Sequence, residues 1–264
     1  MLAIKGGRSD LGVEPITRIG HGRSGRGRMN ARIAAVAPLI FALTFIFGTP
    51  CRMQAQDGKT KYPSMAPLDQ YLMPDRDTEI ALARSAAPEA ISRDAKILVL
   101  GRHGYETAVE GKNGFVCLVE RAWMSPFDSA EFWNPKIRGP LCYNPPAVQS
   151  ILPYDYKRTE LVLAGKSKDQ MAEWMKSAAA KKELPDIEAG AFSYMMSKEA
   201  YLTDRGDHNM AHLMFYTPHT DGKNWGADVP NSPVMVGEQG PPEPYTLFLV
   251  SVGKWSDGTP APLE

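Results

Sequence analysis

Residues 167–255 limit the fold most narrowly, because one well-marked helix is followed there by four β-rich segments with no second helix between them. Ser167 and Gln170 stand at capping-box spacing, and Met171, Trp174, Met175 and Ala178 recur at i, i+3, i+4 and i+7. Lys181 and Lys182 suit the negative end of such a helix, and Pro185 follows it. The segments "AFSYMMS", "AHLMFYTP", "SPVMVG" and "YTLFLVSVGKW" come next, separated by clusters of Gly, Pro, Asn and Asp. Strands grouped in runs, not alternating with helices, predict an α+β fold with a mostly antiparallel sheet and helices on one side.

The first half supplies the remaining elements. Asp77 can cap "TEIALARSAA", whose Ile80, Ala83 and Ala87 share a helical face before Pro88 ends it. "KILVLG", residues 96–101, reads as a strand. "YETAVEGKNGFVCLVERAW" reads as two strands joined in a hairpin at Asn113-Gly114, a dipeptide that tolerates the positive φ angles of a tight turn. In the second of these strands Phe115, Cys117 and Val119 oppose Val116, Leu118 and Ala122, so both faces are apolar and the strand is expected to be central. Residues 124–158, dense in Pro and aromatic side chains, show no sustained period and read as a long excursion that either shapes a ligand site or covers a sheet face. The expectation is one domain over residues 77–264, with about six or seven strands and two main helices.

Upstream, residues 1–28 are rich in Gly and Arg without apolar period and are expected to be disordered or untranslated. From Met29 the order changes to that of a secretory signal, with Arg32 ahead of an uncharged apolar run over 33–48. The run contains Pro38 and is shorter than the ~20 residues that span a bilayer, so a cleaved signal ending at Ala55 is expected. An uncleaved anchor is the alternative, and Pro50 argues against lipidation at Cys51. Residues 56–76, polar and interrupted by proline, read as an arm or tether.

Removing residues 1–55 takes away 8 of 30 Lys+Arg and 2 of 30 Asp+Glu, leaving 22 basic and 28 acidic residues and a net charge of −6. A mildly acidic chain without a basic, aromatic-studded stripe is not expected to bind nucleic acid, and no stable membrane span is expected after signal cleavage. Cys117 and Cys142 are the two cysteines left. In an oxidising compartment a disulfide is their default pairing, and two thiolates in a metal site are the alternative, without C-x-x-C spacing to support it.

"DHNMAHLMFYTPH", residues 207–219, holds three of the five histidines. On one continuous strand His208 and His212 would lie about 13 Å apart at ~3.3 Å per residue, too far to share a zinc whose bonds to nitrogen are ~2.0–2.1 Å. A turn at Gly206–Asn209 removes that obstacle and leaves His212, Met214 and Tyr216 on one strand face. The candidate metal set is therefore Asp207, His208 and His212, with a distant His103 as the alternative to Asp207, for zinc or, given Met210 and Met214, copper. The loop "TPHTDGKNWGADVPNSP" brings His219, Asp221, Lys223, Trp225 and Asp228 together, and an aromatic platform beside polar groups suits a small ligand. The alternative for all of these is loop and strand duty with Trp225 folded onto the core. Glu106, Glu110 and Glu120 sit on or beside the predicted hairpin, where they can frame a pocket or serve as edge charges.

No G-x-S-x-G elbow, H-E-x-x-H or P-loop occurs, and the G-x-G-x-x-G of Gly20, Gly22 and Gly25 has no strand before it. "LVLGRHGYETAVEGKNGFVCLVERAW" and "HLMFYTPHTDGKNWGA" resemble stretches of a group of exported bacterial proteins with no assigned function. The resemblance implies export and a single domain and carries no catalytic residue across. The functional expectation is an exported domain that binds a small ligand or metal through His103, His219, Asp221 and Trp225. A metal-dependent hydrolase or oxidoreductase built on Asp207, His208 and His212, with Glu106 as base, is the second expectation, and a purely structural envelope protein the third.

Overall fold

Four consecutive apolar residues, Ile97 to Leu100, can be satisfied only where both faces of a strand are covered, and β1 (Lys96–Gly101) buries all four. The computed structural model describes residues 61–206 and 210–262. The predicted leader, the signal segment with Cys51, the start of the arm, and Asp207 and His208 lie outside the described residues. Ahead of β1 come α1 (Arg76–Arg84) and α2 (Glu89–Ser92). The cap of α1 is Asp75, not Asp77: its carboxylate accepts from the backbone N–H groups of Asp77 and Thr78 at 3.3 and 3.0 Å, so Asp77 already sits in the first turn.

After β1 follow β2 (Gly104–Val109), β3 (Val116–Glu120), β4 (Gly139–Tyr143), α3 (Pro145–Ser150), α4 (Leu152–Leu163) and α5 (Lys168–Lys181). Then come β5 (Phe192–Met195), β6 (His212–Pro218), β7 (Val234–Gln239) and β8 (Tyr245–Ser251). The Pro-rich stretch read as an excursion thus holds a strand and two helices. Asn144 caps α3 by accepting from Ala147 N at 3.1 Å, and prolines stand in the first turns of α3 and α4, where no backbone donor is needed. The capping box of Ser167 and Gln170 opens α5 as expected.

The strands form one sheet in the order β2-β1-β3-β4-β5-β6-β8-β7, so the fold is α+β with eight strands among the described residues, β4 being the one beyond expectation. All neighbours are antiparallel except β1 and β3. That exception corrects the hairpin at Asn113-Gly114. The hairpin is instead β1–β2, closed by Arg102-His103 with Gly104 at φ 115°, while β2 and β3 do not pair. The chain crosses back at residues 110–115, where Asn113 ties down to α2 by donating from Nδ2 to Ile91 O at 2.8 Å, and β3 enters parallel to β1. As expected, β3 is central.

Helices cover both faces, not one. Leu98, Leu118, Leu141 and Tyr143 pack with Ile151 and Leu152 of the α3–α4 side, and Leu100 with Leu161 and Val162. The alternate residues Ile97, Cys117, Val119 and Cys142 pack against Leu82, Ala83 and Ala86 on the α1 side. Cys117 and Cys142 are direct partners in the β3–β4 register and form a fully buried disulfide. The residues before α1 lie on the domain: Tyr71 is fully buried against Trp123, ring centroids 5.1 Å apart, and its hydroxyl donates to Trp133 O at 2.8 Å. No helix among the described residues is long and apolar enough to cross a membrane.

Candidate functional site

The α4 side of the sheet does not close fully over the strands from β3 to β7 in the sheet order. Between β3–β4 on one flank, β6–β8 on the other and α4 above lies a cavity of about 250 Å³. Its shape follows from alternation: Glu120, Gly139 and Tyr143 point into it from β3 and β4, and His212, Met214 and Tyr216 from β6. Glu238 and Leu247 are register partners on β7 and β8 that line it too. Gly139 helps keep it open, since a Cβ there would press on Leu202 at 3.3 Å.

Asp155 and Arg158, one turn apart on α4, supply the charges overhead, and both are buried. Tyr143 donates its hydroxyl proton to Asp155 Oδ2 at 2.5 Å. Arg158 pairs with Glu243 Oε1 at 3.2 Å, donates to the carbonyls of Met124 and Ser125 at 3.4 and 2.6 Å, and lies 4.3 Å over the ring of Phe127. Even so, Arg158 Nε, Glu243 Oε2 and Glu238 Oε2 are buried without a partner among the described residues. Ser193 Oγ and the Tyr216 hydroxyl are 3.1 Å apart, and the Tyr216 and Tyr245 rings meet edge to face at 5.5 Å.

Burial governs protonation throughout. It lifts the Glu120 carboxyl well above the usual carboxylate range, and the neighbouring Asp155 charge adds to the effect. Burial pushes Asp155 up to about 7 against the opposing pull of Tyr143 and Arg158. Glu238 is pushed up to about 8 by burial and then by Glu243. His212 moves the other way, since burial lowers its pKa and favours the neutral ring. Its Nδ1 lies 2.9 Å from Met210 O, a carbonyl that can only accept, so the proton belongs on Nδ1 and Nε2 keeps its lone pair. The site therefore offers carboxyl groups able to give or take a proton near neutrality beside a neutral imidazole.

Of the residues singled out from sequence, His212, Glu120, Met210 and Met214 line this cavity, and the other described candidates lie elsewhere. His103 is exposed in the β1–β2 turn, in a separate cleft with Tyr156 and Leu163. His219 is exposed beyond β6, near Tyr154 and Asp186. Asp221 caps a short turn, Gly222–Trp225, accepting from Lys223 N at 3.0 Å. Trp225 stacks on Phe248 at 4.4 Å and 5°, and Phe248 pairs with Phe215 on the sheet face opposite His212. Glu106 and Glu110 pair with Arg76 and Lys96 at the β2 edge. Of the metal set, Asp207 and His208 lie outside the described residues, and among the described residues no three His, Cys, Asp or Glu side chains are grouped to hold a metal.

Sequence reasoning did not reach Asp155, Arg158, Glu238 or Glu243. The available signal was the spacing Leu152, Asp155, Thr159, Val162 in "LPYDYKRTELVL", one helical face with charge set among apolar residues. Comparison with known proteins assigns nothing further: no family model, curated protein or solved structure matches the chain.

Proposed function

We propose that this chain is an exported small-ligand-binding protein and that its ligand occupies the cavity between α4 and strands β3 to β8. The observation that carries the reading is convergence: Glu120, Asp155, Arg158, His212 and Glu238 come from four separate elements onto one partly apolar space. Export is supported by the signal-like order of residues 29–55 and by the Cys117–Cys142 disulfide, which persists in oxidising compartments. A thermal-shift screen of small polar compounds tests it, paired with Leu249→Trp, which fills the cavity from β8. Ligands that raise the melting temperature of the wild type and leave Leu249→Trp unmoved support the site. Ligands that stabilise both proteins equally place binding elsewhere.

A second reading, acid–base catalysis in the same cavity, is favoured by one contact, the 2.5 Å hydrogen bond from Tyr143 to a carboxyl that titrates near neutrality. It predicts turnover of a bound compound that disappears in Asp155→Asn while binding persists. The metal-dependent reading rests on Asp207 and His208 together with His212. Elemental analysis of untagged protein tests it, with His212→Ala expected to remove any stoichiometric metal.

A further inference from the structure

Acidic groups around the cavity outnumber basic ones. Four carboxyl groups, Glu120, Asp155, Glu238 and Glu243, gather at the cavity and its adjoining cleft. Arg158 pairs with Glu243 and is the cation whose charge also acts on Glu120, Asp155 and Glu238. The other arginine at the wall, Arg121, already has its guanidinium committed at 2.8 Å to Glu79, which is buried on α1. The imbalance is accompanied by unused acceptor capacity, since Glu238 Oε2 and, on a residue 4% exposed, Glu243 Oε2 have no partner among the described residues. Arg158 Nε, a donor left without one among the described residues, calls for an acceptor such as a hydroxyl oxygen on the ligand. Native interiors leave few such atoms, and a group of them around an open space marks where a ligand's polar atoms belong.

From this we infer that the ligand of the cavity is a small organic cation, a conclusion that rests on the cavity being the ligand site. An anion would meet four carboxyl groups and an already paired arginine, and a neutral guest would leave the imbalance as it is. A positive charge answers it directly, because a cation beside Glu120, Asp155 and Glu238 draws off the protons that burial holds on them and pairs with the carboxylates that result. The walls suit an organic cation over a bare ion. Tyr143, Tyr216 and Tyr245 present aromatic surface to the space, and Met214 a polarisable thioether. The carboxyl groups are spread over β3, α4, β7 and the segment leading to β8, and do not converge as metal ligands do. The cavity's volume of about 250 Å³ limits the guest to a small amine or quaternary ammonium compound.

The test compares cations with uncharged molecules of the same shape. Choline against 3,3-dimethylbutan-1-ol, and butylammonium against butan-1-ol, are titrated calorimetrically into the purified chain at about 0.15 M salt, which screens unspecific surface attraction. The expected result is that at least one cation binds roughly tenfold or more tightly than its neutral counterpart. That preference should shrink in Glu238→Gln and in Asp155→Asn, while the alcohols bind these variants unchanged. Neutral and charged partners that bind alike, both lost in Leu249→Trp, would overturn the cation inference and leave the cavity as a ligand site. If no probe binds and the screen of small polar compounds also finds no ligand sensitive to Leu249→Trp, both conclusions fall.

Discussion

A carboxyl group held protonated inside a protein changes how stability depends on pH. Asp155 and Glu238, raised to about 7 and about 8, bind protons more tightly in the folded chain than in the unfolded one. Folding stability must then fall as pH rises from the ordinary carboxyl range near 4 through those values, the reverse of a salt-bridged aspartate. Glu120, Tyr143, Arg158 and Glu243 face these groups from β3, β4, α4 and the approach to β8, so the titration is shared among them. Asp155→Asn and Glu238→Gln are each expected to flatten the decline and to add on the order of 1–2 kcal/mol at alkaline pH, with no gain below about pH 4. Urea melts across pH check this, and wild-type and variant curves that run parallel would rule it out. Tyr143→Phe should act oppositely, costing roughly 1–3 kcal/mol by leaving the buried Asp155 oxygen without its donor. One side of this site was legible in sequence, because strand alternation places His212, Met214 and Tyr216 together. The other side was not, because Asp155 and Arg158 break the apolar period by which a helix is recognised.

The elements show where local pattern prevails and where tertiary pairing overrides it. The capping box of α5 is a local device completed within four residues, and it formed as read. The turn at Asn113-Gly114 is real as well, since Gly114 has φ 78° and Asn113 Oδ1 accepts from Phe115 N at 3.1 Å. What sequence could not supply is the strand that β3 pairs with after the turn. The Arg102-His103 turn already paired β1 with β2, so β3 took the free edge of β1. That crossover needs Gly111, where a Cβ would fall 2.2 Å from Lys96 N and 2.8 Å from the Ala95 carbonyl carbon. Both are backbone atoms with nowhere to move, so Gly111→Ala should destabilise by about 1–3 kcal/mol or more and is checked by its urea midpoint. Arg121 fastens the same region from beneath. Its guanidinium reaches Glu79 on α1, the Val119 carbonyl and, at 2.7 Å, the carbonyl of Tyr71. Arg121→Ala would strand the Glu79 carboxylate in the interior at a cost of about 3–5 kcal/mol, whereas Glu79→Gln with Arg121→Met should recover much of that loss.

Across the whole molecule, two ties link parts of the chain that are distant in sequence. The described part of the arm before α1 is held at two points, by Tyr71 in the core and by Tyr62, whose hydroxyl donates to Asp204 at 2.6 Å. The disulfide is of another kind. Cys117 and Cys142 already face each other across the β3–β4 ladder, so the bond adds little order to the folded state. Its main effect falls on the unfolded chain, where it closes a loop over a sequence separation of 25 residues. That loop contains Trp123, Phe132 and Trp133, which form much of the aromatic core under α4. Chain entropy alone assigns such a closure roughly 3–4 kcal/mol. Cys117→Ser combined with Cys142→Ser should therefore keep the native near-ultraviolet circular dichroism in the absence of urea. Its urea midpoint should drop sharply, and its m-value should rise as the unfolded chain expands. A variant as resistant to urea as the parent would mean that the unfolded chain keeps this aromatic loop collapsed without the bond. The β3–β4 pairing would then persist beyond global unfolding, which hydrogen exchange at Leu118 and Leu141 would reveal as protection surviving the transition.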